Sequence, residues 1–201
     1  MNKTKLAQIS DPHVCGRDRP FEGRDTARLL QRAVDAACGT APDALLLTGD
    51  LVNHGTREEY DRLNACLDGV APPVYLVAGN HDDRAALRDA MAARASLDCG
   101  EFIQYQARVG PLRLIGLDTQ VPGRGEGELC HRRLDWLDAA LASDPATPTI
   151  VAMHHPPFRT YVDSMDRYGL LRGAGRLEQL VARHGNVERI LCGHLHRTMF
   201  K

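Results

Sequence analysis

Six of the nine histidines fall into four short clusters, and together with one aspartate turn they make five stretches where chemistry concentrates. In chain order these are Asp11-Pro12-His13, Gly49-Asp50, Gly79-Asn80-His81-Asp82, His154-His155-Pro156-Pro157 and Gly193-His194-Leu195-His196. Each alone is weak, since Gly-Asp is a common turn and a single histidine is more often a hydrogen-bonded structural residue than a ligand. Taken together they strain that plain reading, because several imidazoles and carboxylates side by side are costly to bury without a counter-ion. A metal centre removes the conflict. Imidazole, carboxylate and amide oxygen without thiolate suit borderline or hard divalent ions such as Mn²⁺, Fe²⁺, Zn²⁺ or Co²⁺.

Each stretch follows a short apolar run that reads as a strand. Strands are expected over residues 6–10, 44–48, 74–78, 112–117, 149–153 and 189–192, and their near-continuous apolarity fits sheets covered on both faces. Three- and four-residue spacing of apolar positions predicts helices over 24–38, 58–67, 84–92, 132–141 and 177–183. The alternation is that of a layered α/β fold. Residues 102–109 and 112–117, split by Gly110-Pro111, read as an antiparallel pair, so a mixed sheet is expected. The irregular stretches 12–23, 118–130 and 156–175 are long for a compact domain. Strand ends and two of these loops should meet at the carboxyl rim of the sheet, where open α/β folds bind ligands.

The rest of the composition narrows the class. At 201 residues the chain has the size of one domain. Its 25 basic and 26 acidic side chains leave a net charge of −1, without the basic excess of a nucleic-acid-binding domain. No apolar run approaches the roughly 20 residues of a membrane helix, so no membrane partner is expected. Cys15, Cys38, Cys66, Cys99, Cys130 and Cys192 are widely spaced, with no C-x-x-C pair, and read as free thiols in a reducing cytoplasm. Gly123-Arg124-Gly125-Glu126-Gly127 lacks the lysine and hydroxyl of a phosphate-binding P-loop and reads as a flexible loop.

The ordered set of motifs resembles the calcineurin-like metallophosphoesterases, and within them the class III cyclic-nucleotide and glycerophosphodiester phosphodiesterases of bacteria. The similarity spans residues 6 to 196. Its subfamily part rests on Gly49-Asp50-Leu51-Val52-Asn53-His54-Gly55, on Gly79-Asn80-His81-Asp82-Asp83, and on His154-His155-Pro156-Pro157 followed by Met165-Asp166. The resemblance implies an α-β-β-α sandwich with mixed sheets and one catalytic domain over 1–201. It implies one metal held by Asp11, His13, Asp50 and His196, and a second held by the shared Asp50 with Asn80, His154 and His194. A carboxylate bridging through its two oxygens would set the ions about 3.5–4 Å apart. Water between them is driven toward hydroxide and attacks phosphorus in line, with no serine or cysteine intermediate. The implied reaction is hydrolysis of a small phosphodiester, either a 3′,5′-cyclic nucleotide or a glycerophosphodiester.

The neighbouring residues carry weaker expectations. By the same resemblance His81 contacts the phosphate and helps the leaving alkoxide depart, with a purely orienting role as the alternative. Asn53 and Asn80 are expected at the substrate phosphate, with a plain turn asparagine as the alternative for Asn53, and His155 at the substrate rim or in a supporting role, with a purely structural role as the alternative. Asp82 is expected to orient an imidazole. His54, His131 and His184, outside any motif, should face solvent. A phosphomonoesterase, a nuclease of the same superfamily and a non-catalytic scaffold are the rival readings. A protein Ser/Thr phosphatase is disfavoured by Asn53-His54-Gly55 and Asp82, and a purple acid phosphatase by Leu51-Val52-Asn53, which lacks a tyrosine. The chain stops at Lys201, short of the further strands of the family pattern, as a fragment or a compact variant. An open sheet edge there would invite a homo-oligomer.

Overall fold

The computed structural model describes residues 3–92 and 100–200. The elements run β1 (Leu6–Ile9), α1 (Thr26–Cys38), β2 (Ala44–Thr48), α2 (Arg57–Cys66), β3 (Val74–Val77), α3 (Arg84–Met91), β4 (Tyr105–Val109) and β5 (Leu112–Gly116). There follow β6 (Gly127–Glu128), α4 (His131–Ala142), β7 (Thr149–Ala152), α5 (Asp163–Asp166), β8 (Leu170–Arg172), α6 (Ala174–Arg183) and β9 (Val187–Leu191).

Every residue of β2 is buried, because alternate side chains enter different cores. Leu45 and Leu47 pack with Leu30 and Val34 of α1, Leu63 of α2 and Leu87 of α3. Ala44 and Leu46 face the other way, onto Leu114 of β5 and Ala152 of β7. Ile115 and Val151, on the far faces of β5 and β7, meet Leu134 and Leu137 of α4 and Leu177 and Leu180 of α6. Helices, sheet, sheet and helices thus form four layers, with each apolar strand covered twice.

The first sheet, ordered β1-β2-β3, is wholly parallel. The second, ordered β4-β5-β7-β9, is parallel except for antiparallel β4. The antiparallel pair expected on either side of Gly110-Pro111 is β4 and β5, and it makes the second sheet mixed. The strand expected from residue 102 begins at Tyr105. Phe102 is instead enclosed by the guanidinium groups of Arg84, Arg132 and Arg133, 5.6, 5.6 and 4.5 Å from its ring centre, and Ile103 N donates to Asp118. The two long loops expected over 118–130 and 156–175 contain β6, α5 and β8, and β6 pairs with β8. Strands of two or three residues are too short to show periodicity in sequence.

Cys15, Cys38, Cys66, Cys130 and Cys192 are free thiols, and Cys99 lies outside the described residues. Among the described residues no helix is long and apolar enough to cross a membrane. His131 is exposed as expected. His184 is not, since its side chain is 13% exposed and its Nε2 lies 2.6 Å from Asp138 Oδ1.

Candidate metal centre

Parallel pairing of β1 with β2 does not end with the strands. Asp11 N donates to Gly49 O (3.2 Å), His13 N to Asp50 O (3.0 Å), Val14 N to Leu51 O (3.1 Å) and Asn53 N to Val14 O (3.0 Å). This continued ladder sets Asp11 and His13 beside Asp50. The turns needed to aim these side chains are strained. Asp11, His13, Asp50, His194 and His196 have φ between 42° and 73°, and they are five of the eight non-glycine residues with positive φ among those described. Each such left-handed residue costs about 1–2 kcal/mol, and strain of this kind collects where a site over-determines the backbone. Gly79 precedes Asn80 because any Cβ there would strike Asp50, and Gly49, at φ 88°, because its Cβ would enter the His154 ring.

Two sets of donors face one carboxylate oxygen. Asp50 Oδ2 lies 3.6 Å from His13 Nε2 and 3.4 Å from His154 Nε2. On the His13 side, His196 Nε2 stands 3.1 Å from His13 Nε2 and 3.7 Å from Asp11 Oδ1. On the His154 side, Asn80 Oδ1 and His194 Nδ1 each stand 3.2 Å from His154 Nε2. Ligands about 2.1 Å from one ion stand about 3.0–3.4 Å apart at octahedral or tetrahedral angles, so this spacing fits divalent cations. All seven residues expected as ligands are therefore together. Asp50 Oδ1 accepts the His81 backbone N–H at 2.9 Å, and Oδ2 is the oxygen nearest the nitrogens of both halves.

Backbone and side-chain bonds hold the ligands from behind. His194 N donates to both Asp11 oxygens at 2.9 Å, Ser10 Oγ donates to Asp11, and His154 Nδ1 donates to Thr48 O at 2.9 Å. With Nδ1 so committed, His154 presents the Nε2 lone pair to the centre. Phe21 stacks on the His13 ring, 5.2 Å between centres and 9° from parallel.

The electrostatics match an ionised bridge. Burial favours the neutral acid of Asp50, but His154 and the His81 amide outweigh it and hold the carboxyl well below its ordinary range. Burial also opposes charge on His154, yet Asp50 raises that ring to about 9. Burial and the neighbouring His154 push His194 down to about 4, and burial lowers His13 against the pull of Asp50. A buried anion facing several imidazole nitrogens is a donor set suited to divalent cations.

Around the centre the expectations divide. His81 is exposed at the mouth, its ring edge-on to His13 at 4.7 Å, and its Nδ1 donates to Asn53 O at 2.8 Å. Nε2 is thus left for the site. His155 is fully buried, with Nδ1 2.8 Å from Thr119 Oγ1 and Nε2 3.1 Å from Gly125 O. That removes it from the substrate rim; it ties the loop before β6 to the end of β7. Asp82 meets no imidazole. It accepts from the backbone N–H groups of Leu51 (3.2 Å), Val52 (3.3 Å) and Gly79 (2.8 Å) and from Tyr60 OH (3.1 Å), while burial pushes its carboxyl up to about 7. Asp82 therefore clamps the Asp50 turn to the Asn80 turn. His54 is exposed but bound, with Nδ1 2.8 Å from buried Glu59.

Several supporting residues escaped the sequence reading. Gln120 Nε2 donates to Gly79 O (2.9 Å) and to Asp82 O, joining the two sheets behind the site. Glu59 had a legible sign, since it stands four residues before Leu63 on the buried face of α2, within Thr56-Arg57-Glu58-Glu59, the pattern of a capping box. Phe21, in an irregular loop, had none.

Comparison with known proteins agrees with the geometry. The model of the calcineurin-like phosphoesterase family matches residues 4–198. A cAMP/cGMP dual-specificity phosphodiesterase of Mycobacterium tuberculosis is 37% identical over 95% of this chain and 61% of its own length. A probable cyclic nucleotide phosphodiesterase of Rhodococcus erythropolis is 36% identical over 95% of this chain and 64% of its own. A probable glycerophosphodiester phosphodiesterase of Arcobacter nitrofigilis is 31% identical over 96% and 72%. The chain thus spans roughly two thirds of the length of these curated relatives. Among solved structures, a dimetal phosphatase from Danio rerio superposes with a TM-score of 0.77 at 16% identity, over 96% of this chain and 82% of that one, a likeness of fold. With its motifs gathered at the rim of a shared fold, the chain belongs to the calcineurin-like phosphoesterase family.

Proposed function

We propose that this chain carries the catalytic centre of a metal-dependent phosphodiesterase that hydrolyses small diesters, 3′,5′-cyclic nucleotides before glycerophosphodiesters, in the cytoplasm. The observation that carries the reading is Asp50 Oδ2, placed between the His13 and His154 nitrogens with a further set of donors on each side. Asp11, His13 and His196 with Asp50 would hold one divalent ion, and Asn80, His154 and His194 with Asp50 a second, from among Mn²⁺, Fe²⁺, Zn²⁺ and Co²⁺. Such ions, when bound, neutralise phosphate oxygens and make water nucleophilic near neutral pH. The preference for cyclic nucleotides is supported by the names of the relatives at 36 and 37% identity.

This chain's residues divide the remaining work. Buried His13, His154 and His194 shut solvent from the floor, while exposed His196 and His81 mark the side from which substrate enters. His81, oriented by Asn53 O, carries a proton on Nε2 in its imidazolium form and passes it to the departing oxygen. Asn53, at the same rim, hydrogen-bonds the phosphate through its amide.

The test is hydrolysis of bis(p-nitrophenyl) phosphate, 3′,5′-cyclic AMP and glycerophosphocholine by the purified chain with Mn²⁺, with metal content measured in parallel. Activity removed by chelator and restored by Mn²⁺, highest on the cyclic nucleotide, is the expected result. A folded chain that binds two ions per molecule and cleaves no diester would overturn the proposal.

A further inference from the structure

His13 is pinned at its backbone but has no hydrogen bond behind its ring. Its N–H donates to Asp50 O at 3.0 Å. Its carbonyl accepts from the buried Thr26 hydroxyl at 2.8 Å, and that hydroxyl also takes the Cys15 N–H at 3.1 Å. These bonds hold the left-handed turn at His13, φ 42°. The ring is another matter. Its Nδ1 is buried without a hydrogen-bond partner among the described residues, whereas His154 across the centre is tied through Nδ1 to Thr48 O. A ligating imidazole ordinarily donates its second N–H to a carbonyl, carboxylate or water, and that bond sets the angle of the ring. The Cβ–Cγ torsion of histidine is broad by itself, so another contact must set it for His13.

Three rings lie against it among the described residues. His81 meets it edge-on, 4.7 Å between centres and 83° from parallel, and His196 meets it tilted, at 5.0 Å and 50°. Both of these are exposed. Phe21 alone lies parallel, at 5.2 Å and 9°, in the offset arrangement that aromatic rings favour. A flat neighbour resists rotation of the imidazole, because turning drives the edge of one ring into the face of the other. Local backbone delivers Phe21 to this place. Arg24 N donates to Phe21 O at 2.9 Å across a tight turn whose central residues, Glu22 and Gly23, both have positive φ, 50° and 75°. Two residues further on, α1 begins with Thr26, so one short segment grips both the backbone and the ring of His13. We infer that Phe21 is a positioning residue that sets the angle of the His13 ring in place of a hydrogen bond. It thereby aims Nε2 at the centre, 3.6 Å from Asp50 Oδ2 and 3.1 Å from His196 Nε2. The inference rests on the proposed role of His13 as a metal ligand.

Phe21→Ala removes the ring and keeps the turn, which is closed by backbone, while Phe21→Tyr keeps the ring. Two readouts test the inference. In the metal-free protein, ¹³C relaxation of the histidine rings should show a rigid His13 ring in the unaltered chain and in Phe21→Tyr, and a mobile one in Phe21→Ala. A ring equally rigid in all three overturns the inference, whether or not the protein binds metal or hydrolyses any diester. In Mn²⁺ titrations, Phe21→Ala should weaken one of the two bound ions by about 10–100-fold, the range for groups that orient a metal ligand, and Phe21→Tyr should restore it to within about threefold. In a His13→Ala background, where no ring is left to aim, Phe21→Ala should change the remaining Mn²⁺ affinity by less than about twofold. Equal losses in both backgrounds would mean that Phe21 acts on stability alone, and would overturn the inference.

Discussion

The backbone N–H of His81 donates to Asp50 Oδ1 at 2.9 Å, and this bond decides how the carboxylate is used. One oxygen is spent on the turn after β3, which leaves the other to face donors from the β1 loop on one side and the β7 loop on the other. Of its two oxygens, Oδ2 is the one nearest the His13 and His154 nitrogens. The same bond couples Asp50 to the turn that carries the His81 imidazole.

Asp50→Asn tests the bridge while sparing that bond. An asparagine oxygen still accepts from His81 N, but an NH₂ group then faces the His13 and His154 nitrogens and binds no cation. Metal analysis should show both ions lost together, and diester hydrolysis should fall by at least about 10²-fold, the scale of removing one electrostatic group at a reacting centre. A variant that keeps two ions per chain would show that Asp50 is not shared.

His81→Ala should discriminate between leaving groups. Proton donation matters most when the departing alkoxide is a strong base, so hydrolysis of 3′,5′-cyclic AMP should slow by about 10²–10⁴-fold. A nitrophenolate leaves without help, and nitrophenyl diesters should slow far less. Equal slowing of both would assign His81 to phosphate binding rather than proton transfer.

What the sequence made legible follows physical rules that act locally. The β2 run Ala44–Thr48 is apolar at every position because both of its faces are covered, and its assignment matches the structure residue for residue. The residues expected as ligands were readable because they cluster just after such strands, and glycine precedes three of them, Asp50, Asn80 and His194. The place of His155 stayed open because alternation along an extended chain says that it points away from His154, not whether water or protein waits there. Gln120 and Asp118 were invisible for another reason: each acts on partners far along the chain, and only packing brings them together. The one supporting residue with a local sign, Glu59, lay inside a capping pattern that reads fully as helix initiation.

Asp118 should be the costliest structural residue near the site. It is fully buried and takes both Arg84 nitrogens (2.7 and 2.9 Å), Ile103 N and Gln120 N (2.9 Å each), with Arg133 at 4.0 Å. Asp118→Ala leaves two guanidinium groups without their anion, and losing one partner of a buried pair costs about 3–5 kcal/mol. Urea unfolding should show a lower midpoint at unchanged slope. A loss below about 1 kcal/mol would mean that the arginines find water or another acceptor.

Glu59 should make stability depend on acid. Burial favours its neutral form, but the His54 ring and the His54 and Thr56 amides outweigh that and lower its folded pKa below the ordinary 4.5. A carboxyl with a depressed folded pKa contributes stability that is complete above its unfolded value and is lost as pH falls through the folded one. Between pH 7 and 5 the contribution should be constant, and below about pH 4.5 it should decline. Glu59→Gln has no proton to gain, so it should be less stable than the unaltered protein by about 1.5–3 kcal/mol at pH 7, the worth of hydrogen bonds to a charged group. The gap should narrow as pH drops toward 3, since every other carboxyl titrates alike in both proteins. Urea midpoints measured from pH 7 to 3 give the difference directly, and a gap that stays constant over that range would show that the charge on Glu59 contributes nothing beyond its shape.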